Sequence, residues 1–388
     1  MKKNYLSLSF AFLSLVTASN ASSLQDALSN GKVSGALQAY YFARDNETEV
    51  DNDILTLGLD ISYETAKYNG FGAKVTFQSA SSPWVDQDGK DARRSNMWGS
   101  GAQLSEAYLS YDISKTSAQV GRMYFGSPVL GGSGSRVNKE AFEGITLKNT
   151  DIPDTTLTFA YMDKFQARTD REGNIGDFTK TFRLAAALNS GAWSADLEDG
   201  AYTLALKNKS IENLTFTAAY VDAIDIFKTT YLEAIYNFSN YSISTQYYSS
   251  KEENQERGQL FGIKGTAGFG PLSFTAAYTT TGDDADVIPG LGNGADLAYT
   301  WSEALAYQYA ADLDSTKVLA KYKINKAAYV SVAYLEEDGA TYKNGYTNLV
   351  TGYKFSGDLK GLDLKVAYEI ASKDAKDDEL RVRLNYKF

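Results

Sequence analysis

The sequence predicts an all-β chain closed into a transmembrane antiparallel β-barrel of about 18 strands, and three observations carry that expectation. The first is the final segment, Leu380 to Phe388. Its even positions are apolar or aromatic, and its odd positions are Arg381, Arg383, Asn385 and Lys387. A period of two marks a strand with one apolar and one wet face. A soluble sandwich can build such a strand, but it rarely ends on an aromatic with charges all along the other face. Outer-membrane barrels close this way, with one face to lipid and one to a watery lumen.

The second observation is the start. Residues 1–21 read as a secretory signal: Lys2 and Lys3, the apolar run Leu6 to Val16, and the small-x-small site Ser19-Asn20-Ala21. The run is too short to span a bilayer as a helix. Residues 22–388 are then a single barrel domain of the outer membrane of a Gram-negative cell, with outer-membrane lipid as its surroundings. The third is composition. Tyrosine is abundant at 28, with 19 Phe but only 4 Trp and 5 Pro, and no later stretch is apolar for 18 residues. Mean hydropathy is negative, as expected when each strand turns only half its residues to lipid.

Composition also excludes. With no cysteine there is no disulfide framework and no thiol nucleophile. With no histidine there is no Ser-His-Asp arrangement, and the usual general base and metal ligand are missing. The chain reads as a non-enzyme without a cofactor. The formal charge of -10 disfavours nucleic acid as a partner. Asp86-x-Asp88-Gly89-x-Asp91 is similar to a calcium loop but lacks the closing Glu, and reads as a solvated external loop.

Alternation and turn residues place strands near 33–44, 53–64, 70–80, 102–113, 116–125, 140–149, 155–164, 200–208 and 214–223. The rest fall near 228–238, 241–251, 258–267, 271–281, 314–324, 327–336, 344–355, 362–372 and 379–388. Short turns at Ser210 to Asn213, Ser239-Asn240, Gly268 to Gly270 and Asn325-Lys326 face the periplasm. Longer acidic loops at 45–52, 251–257, 282–286 and 336–338 face outward. On five strands running outward the apolar face ends in tyrosine, at Tyr161, Tyr220, Tyr278, Tyr334 and Tyr368. Tyrosine is a good strand former anywhere, but the recurring position reads as an outer aromatic girdle.

On Gly31 to Gly35, Val120-Gly121-Arg122, Ser127-Pro128, Ser135-Arg136, Phe142 to Leu147, Leu260 to Asp284 and Thr300 to Ala304, the chain resembles the OprD-type outer-membrane porin family. The resemblance implies an 18-stranded barrel whose loop after the fifth strand, here Gly126 to Asn138, folds inward as a constriction. It also implies passive diffusion of small hydrophilic solutes, often carboxylates or amino acids, through a basic-lined pore. The glycines at 131, 132 and 134 permit the reversals such a loop needs.

Strand parity assigns lumen faces. A charge facing lipid at mid-depth costs about 2–4 kcal/mol, so Arg381 and Arg383 look inward, as do Lys317, Lys321 and Lys323. Arg44 joins them at the outer end, with Lys74, Lys207 and Lys365 as further members. A ladder of cations attracts and orients anions, and arginine's fork suits carboxylates. The same charges could instead merely solvate the lumen or pair with Asp363, Glu369 and Glu379. Arg122 and Arg136 flank the inward loop and are the expected constriction residues. Arg122 shares parity with Val120, so its place rests mainly on the resemblance. Glu140, Glu143 or Asp151 would supply the acidic side. The family usually carries more arginine than the 11 present here.

Two readings compete: a passive diffusion channel, and a structural or adhesive barrel with an occluded lumen. A homotrimer is the assembly common among porins, though nothing in the sequence marks an interface.

Overall fold

A computed structural model describes residues 21–47, 51–85, 87–93, 99–170 and 173–388. The secretory signal read at 1–21 therefore lies, but for Ala21, outside the described residues, as does Asp86 of the calcium-like loop. Eighteen strands form the wall among the described residues. The first nine are β1 (Lys32–Asp45), β2 (Asn52–Glu64), β3 (Phe71–Val85), β4 (Gly101–Ile113), β5 (Thr116–Met123), β6 (Ala141–Asn149), β7 (Thr155–Gln166), β8 (Ala201–Asn208) and β9 (Leu214–Ala223). The second nine are β10 (Phe227–Phe238), β11 (Tyr241–Glu252), β12 (Arg257–Phe269), β13 (Leu272–Thr281), β14 (Leu313–Lys323), β15 (Ala328–Gly339), β16 (Lys343–Lys354), β17 (Leu362–Lys373) and β18 (Asp378–Lys387).

Each strand pairs antiparallel with the next, and β18 returns to β1 in a register from Ala36↔Lys387 to Asp45↔Asp378. The sheet thus closes with no free edge, the condition for a strand-built wall in lipid. The final backbone pairs, Gly35 N to Phe388 O and Phe388 N to Gly35 O, seal the seam at the periplasmic rim.

Period two sets the faces. Leu109, Val120, Ile145, Leu204 and Val318 stand exposed on the outer surface, alternating with buried or polar inward residues. All five girdle tyrosines lie on that outer face, and each hydroxyl donates to the rim above it. The acceptors are the Asp199 carbonyl and the carboxylates of Asp222, Asp314, Glu336 and Asp378, at 2.7–3.3 Å. An amphipathic ring with its body in lipid and its oxygen at the water side fits the membrane interface.

Two loop expectations change. Glu336, Glu337 and Asp338 belong to β15, and the turn is 340–342. Gly282 to Asp286 only begin a connection that runs to 312. L3 (124–140) folds into the barrel as expected, and two further outer connections, L4 (167–200) and L7 (282–312), turn inward with it. Val129, Leu130, Phe182, Leu184, Val287, Ile288 and Leu291 from these loops pack on inward Phe142, Met162, Phe165, Val221, Tyr231 and Tyr248. The apolar core of this protein therefore sits inside the lumen, against β6–β12. On the other side of the lumen, charged residues of β14, β17, β18 and β1 face inward, among them Lys317, Lys365, Arg381 and Arg44.

Candidate pore constriction

L3 crosses the barrel. Leaving β5, it pairs with L7: Gly131 N donates to Leu291 O (2.9 Å), Leu291 N to Val129 O (3.1 Å) and Gly294 N to Gly131 O (2.8 Å). The approach demands glycine in L7. A Cβ on Gly290 would lie 2.0 Å from Val129 O, one on Gly292 2.3 Å from Gly131 O, and both residues have positive φ. At its far end L3 reaches β1–β3, where Val137 joins Tyr40, Phe42, Ile54 and Ala80 in a second apolar cluster. Lys139 there pairs with Asp60.

Glu140 fastens this arrangement. Its carboxylate accepts from Ser133 N (2.9 Å), Asn293 N (3.0 Å) and the Asn293 side chain, and Arg168 of L4 stands 3.8 Å away. The Glu140 side chain is 1% exposed. It was expected on the acidic side of the eyelet. Instead its oxygens are consumed in tying L3, L4 and L7 together, and none is left facing solute.

Arg122 and Glu143 are corrected more sharply. They pair across β5 and β6 in the row of Val120 and Ile145, which face outward, while Met123 and Phe142, next along each strand, are buried inside. Arg122 Nε donates to Glu143 (2.9 Å), Lys164 reaches the same carboxylate (2.9 Å), and the guanidinium lies 4.3 Å from the Phe178 ring centre. Both belong to the outer surface near the extracellular rim, because alternation continues through Arg122. Asp151 lies in the exposed periplasmic turn between β6 and β7, bonded to Asn149, far from L3.

The remaining expected cations are gathered on the lumen side. Arg44 donates Nε to Glu379 (2.9 Å) and stands 3.7 Å from Asp377 at the outer end of β1. Arg381, 6% exposed, pairs with Glu379 and donates to the Glu303 carbonyl of L7. Arg383 and Arg136 converge on one ring: their guanidiniums lie 4.9 and 5.9 Å from the Tyr40 centre. Lys317 donates to the Trp301 carbonyl, and Lys321 sits 3.9 Å from the Tyr329 centre. Lys323 continues that face toward the periplasm, and Lys365 pairs with Glu303 at 2.7 Å. Lys74 is held by Glu106 at 2.7 Å, and half-buried Lys207 lies inward on β8.

Burial and the neighbouring Arg381, Arg168 and Arg383 push the Arg136 pKa below its ordinary value, while Tyr40 opposes this. Arginine remains protonated regardless.

Sequence reasoning missed Tyr40, Arg168 and Glu303. Tyr40 was legible, since it shares parity with Gln38 and Arg44. Arg168 and Glu303 lie on irregular loops where no period exists to read.

A family model described as outer membrane porin, OprD family, matches residues 78–388. No curated protein matches. The chain is similar to the crystal structure of Acinetobacter baumannii OccAB2, with TM-score 0.79, 20% identity, and coverage of 93% of this chain and 98% of that one. It is also similar to Pseudomonas aeruginosa OccK9 (OpdG), with TM-score 0.80, 17% identity, and coverage of 93% and 99%. Acinetobacter baumannii OccAB4 follows with TM-score 0.78, 16% identity, and coverage of 92% and 98%.

Proposed function

The chain belongs to the OprD family of outer-membrane porins, and from that premise we propose that its pore prefers small solutes bearing a carboxylate. The coarser statement is settled by the family: this is a non-enzymatic, passive channel of the Gram-negative outer membrane. The finer reading rests on one observation, the convergence of Arg136 and Arg383 on Tyr40 beside Arg381 and Lys365. Guanidiniums on an aromatic face keep their edges free to donate, and a carboxylate can accept two parallel bonds from such an edge. In a narrow, low-dielectric lumen the positive wall raises local anion concentration without energy input.

Residues 22–388 would be the mature channel. The wall closes within one chain, so the pore calls on no second copy, and the trimer of general porins is not needed to build it.

Liposome swelling with the purified protein tests the preference. Butyrate is expected to enter faster than its neutral, similarly sized amide, butyramide, by about tenfold, the low end of field-driven enrichment. Equal rates would remove the carboxylate reading and leave an unselective pore.

A further inference from the structure

Within the basic wall one carboxylate already stands where a permeating anion would. Glu303, on L7, places Oε2 2.7 Å from Lys365 Nζ, and it bounds a small niche with Lys365, Ala367, Arg381 and Arg383. Burial alone would raise its pKa. Lys365, Arg381 and Arg383 outweigh burial and hold it below the usual carboxylate range, so it is ionised at neutral pH.

The backbone around it is fastened separately. Glu303 N donates to Glu369 (3.0 Å) and Asn348 (2.9 Å), Leu305 N to Glu369 (2.6 Å), and Tyr307 N to Glu337 (2.7 Å). Lys317 and Arg381 hold the carbonyls of Trp301 and Glu303. The Glu303 side chain can therefore leave Lys365 by changing rotamer while the loop stays in place. The pair keeps some contact with solvent, with side-chain exposures of 32% for Lys365 and 19% for Glu303.

We infer that Glu303 is a tethered counter-ion occupying a carboxylate niche formed by Lys365, Arg381 and Arg383, and that a permeating carboxylate binds there by displacing it. This rests on the carboxylate-preferring pore proposed above. Conduction needs a site favourable enough to enter and weak enough to leave. A resident competitor supplies that balance, because every departing solute is replaced at once.

The test uses planar bilayers, with butyrate as probe and butyramide as neutral control. In Glu303→Gln, which keeps size and loses charge, the butyrate concentration giving half-block of the current should fall by about tenfold. That change corresponds to about 1.4 kcal/mol. Butyramide should behave as before. Adding Lys365→Gln to Glu303→Gln should abolish the tightening, because the niche loses the cation that Glu303 had neutralised. If half-block in Glu303→Gln is unchanged while the unaltered protein still prefers butyrate to butyramide, the inference fails alone. If the unaltered protein shows no such preference, the underlying reading fails and takes the inference with it.

Discussion

Replacing Arg383 by Glu is expected to turn the channel toward cations. Arg383 is the member of the wall best suited to this experiment: it lies inside, half-buried, and against Tyr40. Reversing its charge places a negative group beside Glu303 and the Tyr40 ring. Local anion concentration should fall by about tenfold, and the reversal potential in a salt gradient should move accordingly. An unchanged reversal potential would remove Arg383 from the permeation path. Arg381→Glu is a poorer probe of the same question. Its guanidinium pairs with buried Glu379 and holds the Glu303 carbonyl, so its loss disturbs the seam between β18 and β1 as well as the field.

The second large effect is expected from Glu140→Ala. This carboxylate accepts from L3 and L7 and stands beside Arg168 of L4. Its removal takes from the Arg168 guanidinium, whose side chain is 5% exposed, the carboxylate 3.8 Å away. Breaking a buried charge pair from one side costs about 3–5 kcal/mol. The strands do not depend on Glu140, so the loss should appear first in the loops, as a larger and noisier single-channel conductance. Urea unfolding in detergent should show the lowered stability. Glu140→Gln, which retains one accepting oxygen, should fall between the two. Unaltered conductance and stability in Glu140→Ala would mean that the apolar contacts and the L3–L7 backbone bonds hold the loops without it.

The wall was legible in the sequence because its physics is local. Alternation, broken by Asn, Gly and Ser at the turns, located all eighteen strands to within a few residues, including the short β8 at Ala201–Asn208. The bookkeeping of short and long connections also gave the direction of each strand. Interior loops follow no such rule. L4 and L7 enter the lumen because Leu184, Val287 and Leu291 find apolar partners there, and Leu184 and Leu291, more than a hundred positions apart, pair with one another. Gly282 to Asp286 read as an ordinary acidic loop because nothing in those five residues reports where the next twenty-six go.

Arg122 carries the sharper lesson. Parity with Val120 did not by itself settle its face, and the family resemblance pulled it inward. The pairing Arg122↔Glu143, flanked by buried Met123 and Phe142, sides with alternation. Arg381 and Arg383 were placed by parity alone; both share a small niche with Glu303 and Lys365. Where the two kinds of argument disagree on a regular strand, steric period is the stronger, since reversing it would flip every neighbour to the wrong face.

One measurement reaches the central claim, that β18 turns one row of side chains to water inside a closed wall and the other row to lipid. The chain has no native cysteine, so single cysteines can be introduced at 382, 383, 384 and 385 and exposed to a charged, membrane-impermeant thiol reagent while current is recorded. Arg383→Cys and Asn385→Cys should react from water with a drop in conductance, and Val382→Cys and Leu384→Cys should stay unreactive. Rapid modification at 382 and 384 with protection at 383 and 385 would contradict the account.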